Sequence, residues 1–194
     1  IVGSDRESAF EFAEVIRAEI FSAERLEQHA ASLAAAQTVT TRPVAVRPLT
    51  ARLRNNHRAL LDAHRAIAKS IAAGGAITPA AEWLVDNYHV VEAQIRQVRD
   101  DLPPGYYRQL PKLADGPLAG YPRVLGLAWA FVAHTDSRFD ANLLRQFVAA
   151  YQRVQPLTIG ELWAIAITLR IVLIENLRRA AELIASRRAV RQQA

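Results

Sequence analysis

Histidine is the residue type in this sequence best suited to hold a metal ion, but its spacing does not favour a metal site. No two histidines stand four residues apart, the spacing that places two ligands on one face of a helix. His57 and His64 share a helical face but lie two turns apart, too far for one ion. The chain has no cysteine to supply a thiolate. We therefore expect neither a bound metal nor a cofactor. The five histidines are His29, His57, His64, His89 and His134.

The acidic side chains and possible nucleophiles give little evidence of a catalytic site. Asp86 and Glu92, together with Glu82, could project from one helix as the paired carboxylates of glycoside chemistry. A solvated helix face, or a partner for a buried arginine, explains these residues better. The sequence has no G-x-S-x-G motif and no glycine-rich phosphate loop. We therefore predict no catalytic residue in this chain.

One cluster has the composition of a binding site. Tyr106, Tyr107 and Tyr121 stand close in sequence to Arg108 and Arg123. A tyrosine ring offers a flat apolar face and a hydroxyl group, which suit a sugar ring or a protein surface. The alternative, which we favour, is that the rings fix a proline-rich loop against the helices. Both interpretations stay open at this point.

Length and charge bound the class of protein. The 194 residues, 51% of them hydrophobic, are enough for one well-buried core, and the net charge is +5. Residues 1–36 hold seven acids and three arginines, so the rest of the chain is strongly basic. A basic surface suits nucleic acid or anionic lipid, but an arginine-rich solvated surface is the simpler interpretation, and we predict no nucleic-acid partner.

The longest apolar stretch, residues 162–174, is too short to span a membrane, so we expect a soluble segment. A chain that lacks methionine and begins at Ile1 is expected to be a piece of a longer or processed protein.

A long last helix, predicted over about residues 157–188, is the element around which the others are expected to pack. It opens with a capping box, in which Thr158 accepts a hydrogen bond from the N–H of Glu161 and Glu161 reaches back to the N–H of Thr158. At about 100° per residue, its polar and apolar residues separate onto two sides. The polar stripe contains Glu161, Thr168, Glu175, Asn176, Arg179 and Glu182; the apolar side contains Leu162, Ala166, Leu169, Leu173, Leu177, Ala181 and Ile184.

Arg170 lies in the middle of that apolar side. An unpaired buried charge is too costly to keep. We therefore predict that Arg170 is buried and paired with a carboxylate, either Glu92 or Asp86.

The remaining pattern predicts an all-α fold of about six helices. Residues 102–122 contain five prolines and three glycines and are predicted to form a long irregular loop, and no segment is predicted to be a β-strand. Residues 84–102 carry an alternating three–four apolar seam, which is typical of a helix packed on partner helices. Besides the last helix, the predicted helices cover Ser4–Ala36, Thr50–Ala73, Thr78 to about Leu102, Val124–His134 and Asp140–Arg153.

The predicted domain organisation has three parts. Residues 1–36 form an N-terminal helix or arm, whose end at 30–36 is expected to be weakly anchored because it is rich in alanine. Residues 37–49, with two prolines, form an extended linker, and residues 50–194 form the helical domain. An acidic arm on an extended linker could pack late or onto a second chain, so self-association through residues 1–36 is a further hypothesis.

Two long stretches resemble a known family. LPPGYYRQLPKL, from Leu102, and PLTIGELWAIAITLRIVLIENLRR, from Pro156, are similar to the N-terminal helical region of bacterial cyclic β-1,2-glucan synthases. The similarity covers about residues 50–188, whereas residues 1–49 carry none that we recognise.

The resemblance implies a parent that is a membrane glycosyltransferase using UDP-glucose. It also implies that this segment lies on the cytoplasmic side of the bacterial inner membrane, outside the catalytic domains. The expected function is a non-catalytic scaffold or interaction domain whose partners are other domains of the synthase. The alternative is a module that binds β-glucan through the loop from Tyr106 to Tyr121.

Overall fold

A computed structural model describes residue 16, residues 18–75 and residues 78–193, with side chains through residue 186. Eight helices and one two-stranded sheet make up this part of the chain, which confirms the all-α prediction with more helices than expected. The helices are α1 (Ala23–Ala36), α2 (Leu49–Ala72), α3 (Pro79–Asp86), α4 (Tyr88–Asp101), α5 (Pro104–Gln109), α6 (Arg123–His134), α7 (Ala141–Val154) and α8 (Ile159–Gln193); the strands are β1 (Val39–Thr40) and β2 (Lys112–Leu113). In the described part of the chain, no helix has the length and apolarity that a membrane span requires.

Local capping fixes several helix starts where the sequence predicted them. Thr78 accepts from the N–H of Ala81 at 3.3 Å, and Pro79 takes the first position of α3. Asp140 caps α7 by accepting from the N–H groups of the second and third residues after it. The seam predicted for a single helix is buried along α3 and α4, although Asn87 interrupts the helix. Its residues are Leu84, Tyr88, Val91, Ile95, Val98 and Leu102.

The first helix begins later than predicted. Residues 18–22 are not helical, and α1 starts at Ala23 behind the cap Ser22. The backbone N–H of Ala18 donates to the carbonyl of Ala133 at 3.0 Å, a bond that replaces a helical one. The predicted start at Ser4 lies outside the described residues. The alanine-rich end is also better anchored than expected, because Ala30 and Ala34 are buried.

The loop at residues 102–122 is more regular than predicted. Pro104 occupies the first turn of the short helix α5, where a missing N–H costs nothing. Strand β2 then pairs antiparallel with β1, with Val39 opposite Leu113 and Thr40 opposite Lys112. A two-residue strand is too short for an alternating pattern, so the sequence could not predict this sheet.

Gly120 is expected to tolerate no side chain. Its φ is +85°, and a Cβ there would lie 2.6 Å from the carbonyl oxygen of Val44. The change Gly120→Ala should therefore lower the free energy of unfolding by about 1–3 kcal/mol for the backbone conformation alone, and further for the collision. Gly116→Ala is the matched control, because Gly116 has φ +73° with open space around it. Equal losses for the two variants in urea unfolding would show that the collision costs nothing.

The contacts divide the described chain into two compact units. The first unit comprises residues 16, 18–46 and 102–173, and the second comprises residues 47–75, 78–101 and 174–193. This grouping differs from the predicted division at residues 36 and 49, since α1 packs against α7. That residues 1–36 can be removed without unfolding the rest of the chain stays a prediction.

Each unit has its own interior. In the first unit, Phe131 and Phe147 pack edge to face at 5.6 Å between ring centroids, and the buried Tyr151 donates its hydroxyl to Gln37 at 2.7 Å. In the second unit, α2 buries a row of apolar side chains, of which Leu60 has no exposed surface. Helix α8 contributes residues to both units.

Candidate functional site

The polar stripe of α8 faces inward, which is the reverse of an ordinary surface helix. Its members are buried from the first turn to the sixth, and Glu161 has no exposed surface at all. Buried polar groups are retained only where they have partners. The partners of this stripe therefore show what its side chains do. The buried members are Glu161, Thr168, Glu175, Asn176 and Arg179.

Glu161 is the centre of the polar contacts in the first unit. The predicted capping box is confirmed: the N–H of Thr158 donates to Glu161 at 2.9 Å, and the N–H of Glu161 donates to Thr158 Oγ1 at 3.2 Å. The same carboxylate accepts two bonds from the guanidinium of Arg123, at 2.7 and 2.6 Å. Burial alone would lower the pKa of the Arg123 guanidinium, but the bonds and charge of Glu161 outweigh burial and raise that pKa. One carboxylate therefore caps α8 and ties it to the start of α6.

Arg123 thus does not occupy the exposed position that its candidacy as a binding residue requires. Only 4% of it is exposed, and a third bond runs from its Nη2 to the carbonyl of Pro156 at 3.2 Å. Sequence reasoning missed this pair because Arg123 and Glu161 lie 38 residues apart.

The tyrosines of the predicted cluster are also held by protein. Tyr121 is 5% exposed. Tyr106 is half-buried and donates its hydroxyl to the carbonyl of Gly160 at 2.5 Å. Tyr107 is half-buried, and burial followed by the neighbouring Tyr121 raises its pKa to about 12. Arg108 alone of the five candidates is exposed. The arrangement favours rings that fix the loop, while binding through the cluster stays a prediction.

Lys112 is a buried cation that the sequence did not point out. Its Nζ donates to the carbonyls of Tyr107 and Leu110, the second at 2.8 Å, and lies 4.1 Å from the centre of the Tyr107 ring. Burial lowers its pKa to about 8. A signal was available, since lysine is rare in this arginine-rich chain. Lys112 fixes the turn between α5 and β2 through backbone acceptors.

The second unit contains a buried three-residue charge cluster on α2 and α8. Glu175 accepts two bonds from Arg52, at 3.1 and 2.6 Å, and one from Arg179 at 2.7 Å. Burial alone would raise the pKa of Glu175, but the two arginines outweigh it and hold the pKa below its usual value. The cluster ties the later part of α8 to the start of α2.

Arg170 is half-buried rather than fully buried. Of its predicted partners, Glu92 lies 3.7 Å from Nε2 of His57 and 4.0 Å from Arg96. The pairing of Arg170 with Glu92 or Asp86 stays a prediction.

The apolar side of α8 is less covered than its polar stripe and lines two grooves. In the first unit, α7 and the early part of α8 enclose a groove of about 590 Å³, the α7–α8 groove. In the second unit, α3 and the later part of α8 enclose a smaller groove of about 280 Å³, the Trp83 groove. The α7–α8 groove is lined by Phe139, Leu144, Arg145, Val148, Ala149, Gln152, Leu162, Ile165, Ala166, Leu169, Arg170 and Leu173; the Trp83 groove is lined by Ala80, Trp83, Leu84, Leu177, Ala180, Ala181 and Ile184.

Histidines are brought together at one place, beside the start of α1. The rings of His29 and His134 lie 4.6 Å apart between centroids, and Phe21 stacks on His134 at 3.9 Å. Burial, followed by His134, lowers the pKa of His29. Within the described residues, no group of three or more His, Cys, Asp or Glu side chains is arranged to hold a metal ion.

Comparison with known proteins shows what this chain is similar to. No protein-family model matches the chain. The chain is 42% identical over 184 residues to the cyclic beta-(1,2)-glucan synthase NdvB of Rhizobium meliloti (strain 1021), and the match covers 95% of this chain and 6% of that protein. The chain is therefore homologous to a short segment of such a synthase, which confirms the resemblance. The match also reaches into residues 1–49, where we had recognised none.

Proposed function

We propose that this chain is a non-catalytic interaction domain of a cyclic β-1,2-glucan synthase, and that it docks onto another domain of the same polypeptide. The 42% identity to the NdvB protein supports a cyclic β-1,2-glucan synthase as the parent protein. Because the match covers only 6% of the NdvB protein, the rest of such a polypeptide is long enough to contain the docking partner. In this proposal the chemistry on UDP-glucose belongs to other domains, and the segment lies on the cytoplasmic side of the inner membrane.

The observation that carries the proposal is the Trp83 groove. Trp83 is 50% exposed at the rim of a cleft whose other lining residues are all apolar. Tryptophan beside an apolar pocket is the side chain most enriched where protein interfaces gain their binding energy. A patch of this kind favours a protein partner.

The polar side chains support the same conclusion. Glu161 and Arg123 bond to each other, and Glu175 bonds to two arginines of its own unit. Lys112 donates to backbone carbonyls. These groups join helices, so their chemistry is already used in building a stable platform.

The proposal is tested in the full-length synthase by replacing Trp83 with alanine. We expect the segment to detach, seen as about tenfold faster proteolysis at its flanks, since loss of a hot-spot residue costs more than 1 kcal/mol. Glucan synthesis by membranes should fall with it. Val90→Ala is the matched control, because Val90 is an exposed apolar residue of α4 outside the groove. Equal proteolysis of the two variants would contradict the proposal.

Binding of β-glucan through the Tyr106–Tyr121 loop is the alternative hypothesis. A sugar site needs an exposed apolar face beside a few fixed polar groups, and the burial of Tyr121 and Arg123 disfavours one here. We expect no saturable change in tyrosine fluorescence or NMR shifts below millimolar linear or cyclic β-1,2-glucan, a limit of about 4 kcal/mol of binding. Saturation at micromolar glucan that Tyr107→Ala abolishes would favour the alternative.

A further inference from the structure

We propose that the α7–α8 groove of the first unit binds one fatty acid, with the acyl chain along the groove and the carboxylate at the end that carries Arg145 and Arg170. The inference is independent of the proposed function, because that function rests on the Trp83 groove. It follows from the lining of the α7–α8 groove, from the position of its charges and from its length.

The lining of the groove suits an apolar occupant. Ile165 and Leu169 are buried beneath it, whereas Phe139, 65% exposed, and the exposed Leu162 stand at its edge. Its volume of about 590 Å³ falls within the range of about 300–1,000 Å³ that is usual for small-molecule sites. Large apolar side chains left exposed beside an apolar cleft mark a surface that binds something.

The direction of the two helices brings the charges of the groove to one end. Phe139, which lies just before α7, lines a small adjoining pocket together with Leu169 and Leu173. The start of α7 therefore lies beside the later part of the stretch of α8 that lines the groove. Arg145 belongs to the second turn of α7, and Arg170 belongs to that later part of α8. The two arginines are therefore at the same end of the groove.

The charge of the lining is one-sided and positive. Of the described residues that line the groove, only Arg145 and Arg170 are charged, and Gln152 lies towards the other end with Leu162. Asp140, an acid at the start of α7, is outside the lining and accepts from backbone N–H groups of that helix. An amphiphile with one anionic head group complements this arrangement. A helix with acids along its whole length would place some of them against the uncharged end.

The length of the groove matches a single acyl chain. From Leu162 to Leu173 the axis of α8 rises by about 17 Å, at 1.5 Å per residue. The hydrocarbon core of a bilayer is about 30 Å thick and two acyl chains deep, so one chain extends about 15 Å. A guanidinium offers a carboxylate two parallel N–H donors. Arg145 is exposed and is the principal partner of the carboxylate, because Arg170 is half-buried and has contacts of its own.

Titration of the full chain with dodecanoate, below the concentration at which the ligand aggregates, tests the recognition of the head group. We expect one molecule to bind per chain, and dodecan-1-ol, which has the same chain without a charge, to bind about tenfold more weakly. Arg145→Gln should weaken dodecanoate binding about tenfold and leave the alcohol unchanged. Arg153→Gln is the matched control, because Arg153 is an exposed arginine of the same helix that pairs with Glu27 outside the groove. Equal affinity for acid and alcohol, or no saturable binding, would overturn the proposal.

A thiol placed in the groove tests where the ligand binds. The chain contains no native cysteine, and Ala166 is an exposed lining residue. The thiol of Ala166→Cys should react with a maleimide about tenfold more slowly when dodecanoate is saturating. The thiol of Ala72→Cys, at the exposed end of α2 and outside the groove, should be unaffected. If the Ala166→Cys thiol reacts equally fast with and without dodecanoate, the ligand does not occupy the groove, and the proposal is wrong.

Discussion

Replacing Glu161 with alanine is expected to lower the free energy of unfolding by about 3–5 kcal/mol. The change leaves the guanidinium of Arg123 buried without its carboxylate, and an unpaired buried charge is among the most destabilising results of a single substitution. It also removes the acceptor for the N–H of Thr158 at the start of α8. Urea unfolding followed by helical circular dichroism measures the loss.

Two further variants separate the charge from the cap. Thr158→Ala removes a capping side chain but leaves the ion pair, and should cost about 1 kcal/mol. The double variant Arg123→Met with Glu161→Leu removes both charges and should be much less damaging than Glu161→Ala alone. If Glu161→Ala cost no more than Thr158→Ala, the ion pair would contribute nothing to stability.

Glu175→Ala is expected to have an effect of similar size, about 3–5 kcal/mol, in the second unit. It leaves Arg52 and Arg179 facing the same buried position with no carboxylate between them. Glu182→Ala is the matched control on the same helix, because Glu182 is 39% exposed and pairs with Arg178 four residues before it. Such a pair contributes only about 0.3–0.5 kcal/mol.

The Glu175 cluster also predicts a pH dependence. The folded-state pKa of Glu175 lies below its ordinary value of 4.5. Its stabilisation is therefore fully present above pH 4.5 and is lost as the pH falls through the lowered folded-state pKa. The loss of stability on acidification should be smaller in Glu175→Ala than in the unchanged chain. Equal acid dependence of the two would show that Glu175 does not contribute to it.

The structural features that could be predicted from the sequence are those that depend on residues close together in the chain. The capping box of Thr158 and Glu161 was predicted because it is a pattern of a few consecutive residues, and the helix start at Thr78 was predicted for the same reason. Helical periodicity also grouped the polar residues of α8 on one side. It could not predict that this side is buried, because the answer depends on Arg123 and Arg52, which approach from distant helices.

Errors arose where long-range contacts override local patterns. Residues 18–22 lie within the predicted first helix, yet the backbone N–H of Ala18 donates to the carbonyl of Ala133 instead of to a helical acceptor. The sequence also contained no sign that Arg123, a member of the candidate binding cluster, is buried and paired with Glu161, because an arginine beside tyrosines has the same local pattern with or without a distant acid. Lys112 was overlooked because no short motif describes a lysine bonded to backbone carbonyls.

The discontinuity of the first unit has a consequence during synthesis on the ribosome. Helix α1 packs on α7, but residues 47–101 belong to the other unit and are made in between. At the usual 5–20 residues per second, α1 emerges roughly 6–24 s before the chain that covers it. Throughout that interval the apolar face of α1, with Leu26, Ala30 and Ala34, lacks its main partner α7. The nascent chain should therefore be most dependent on chaperones, and most prone to aggregate, before α7 has left the exit tunnel.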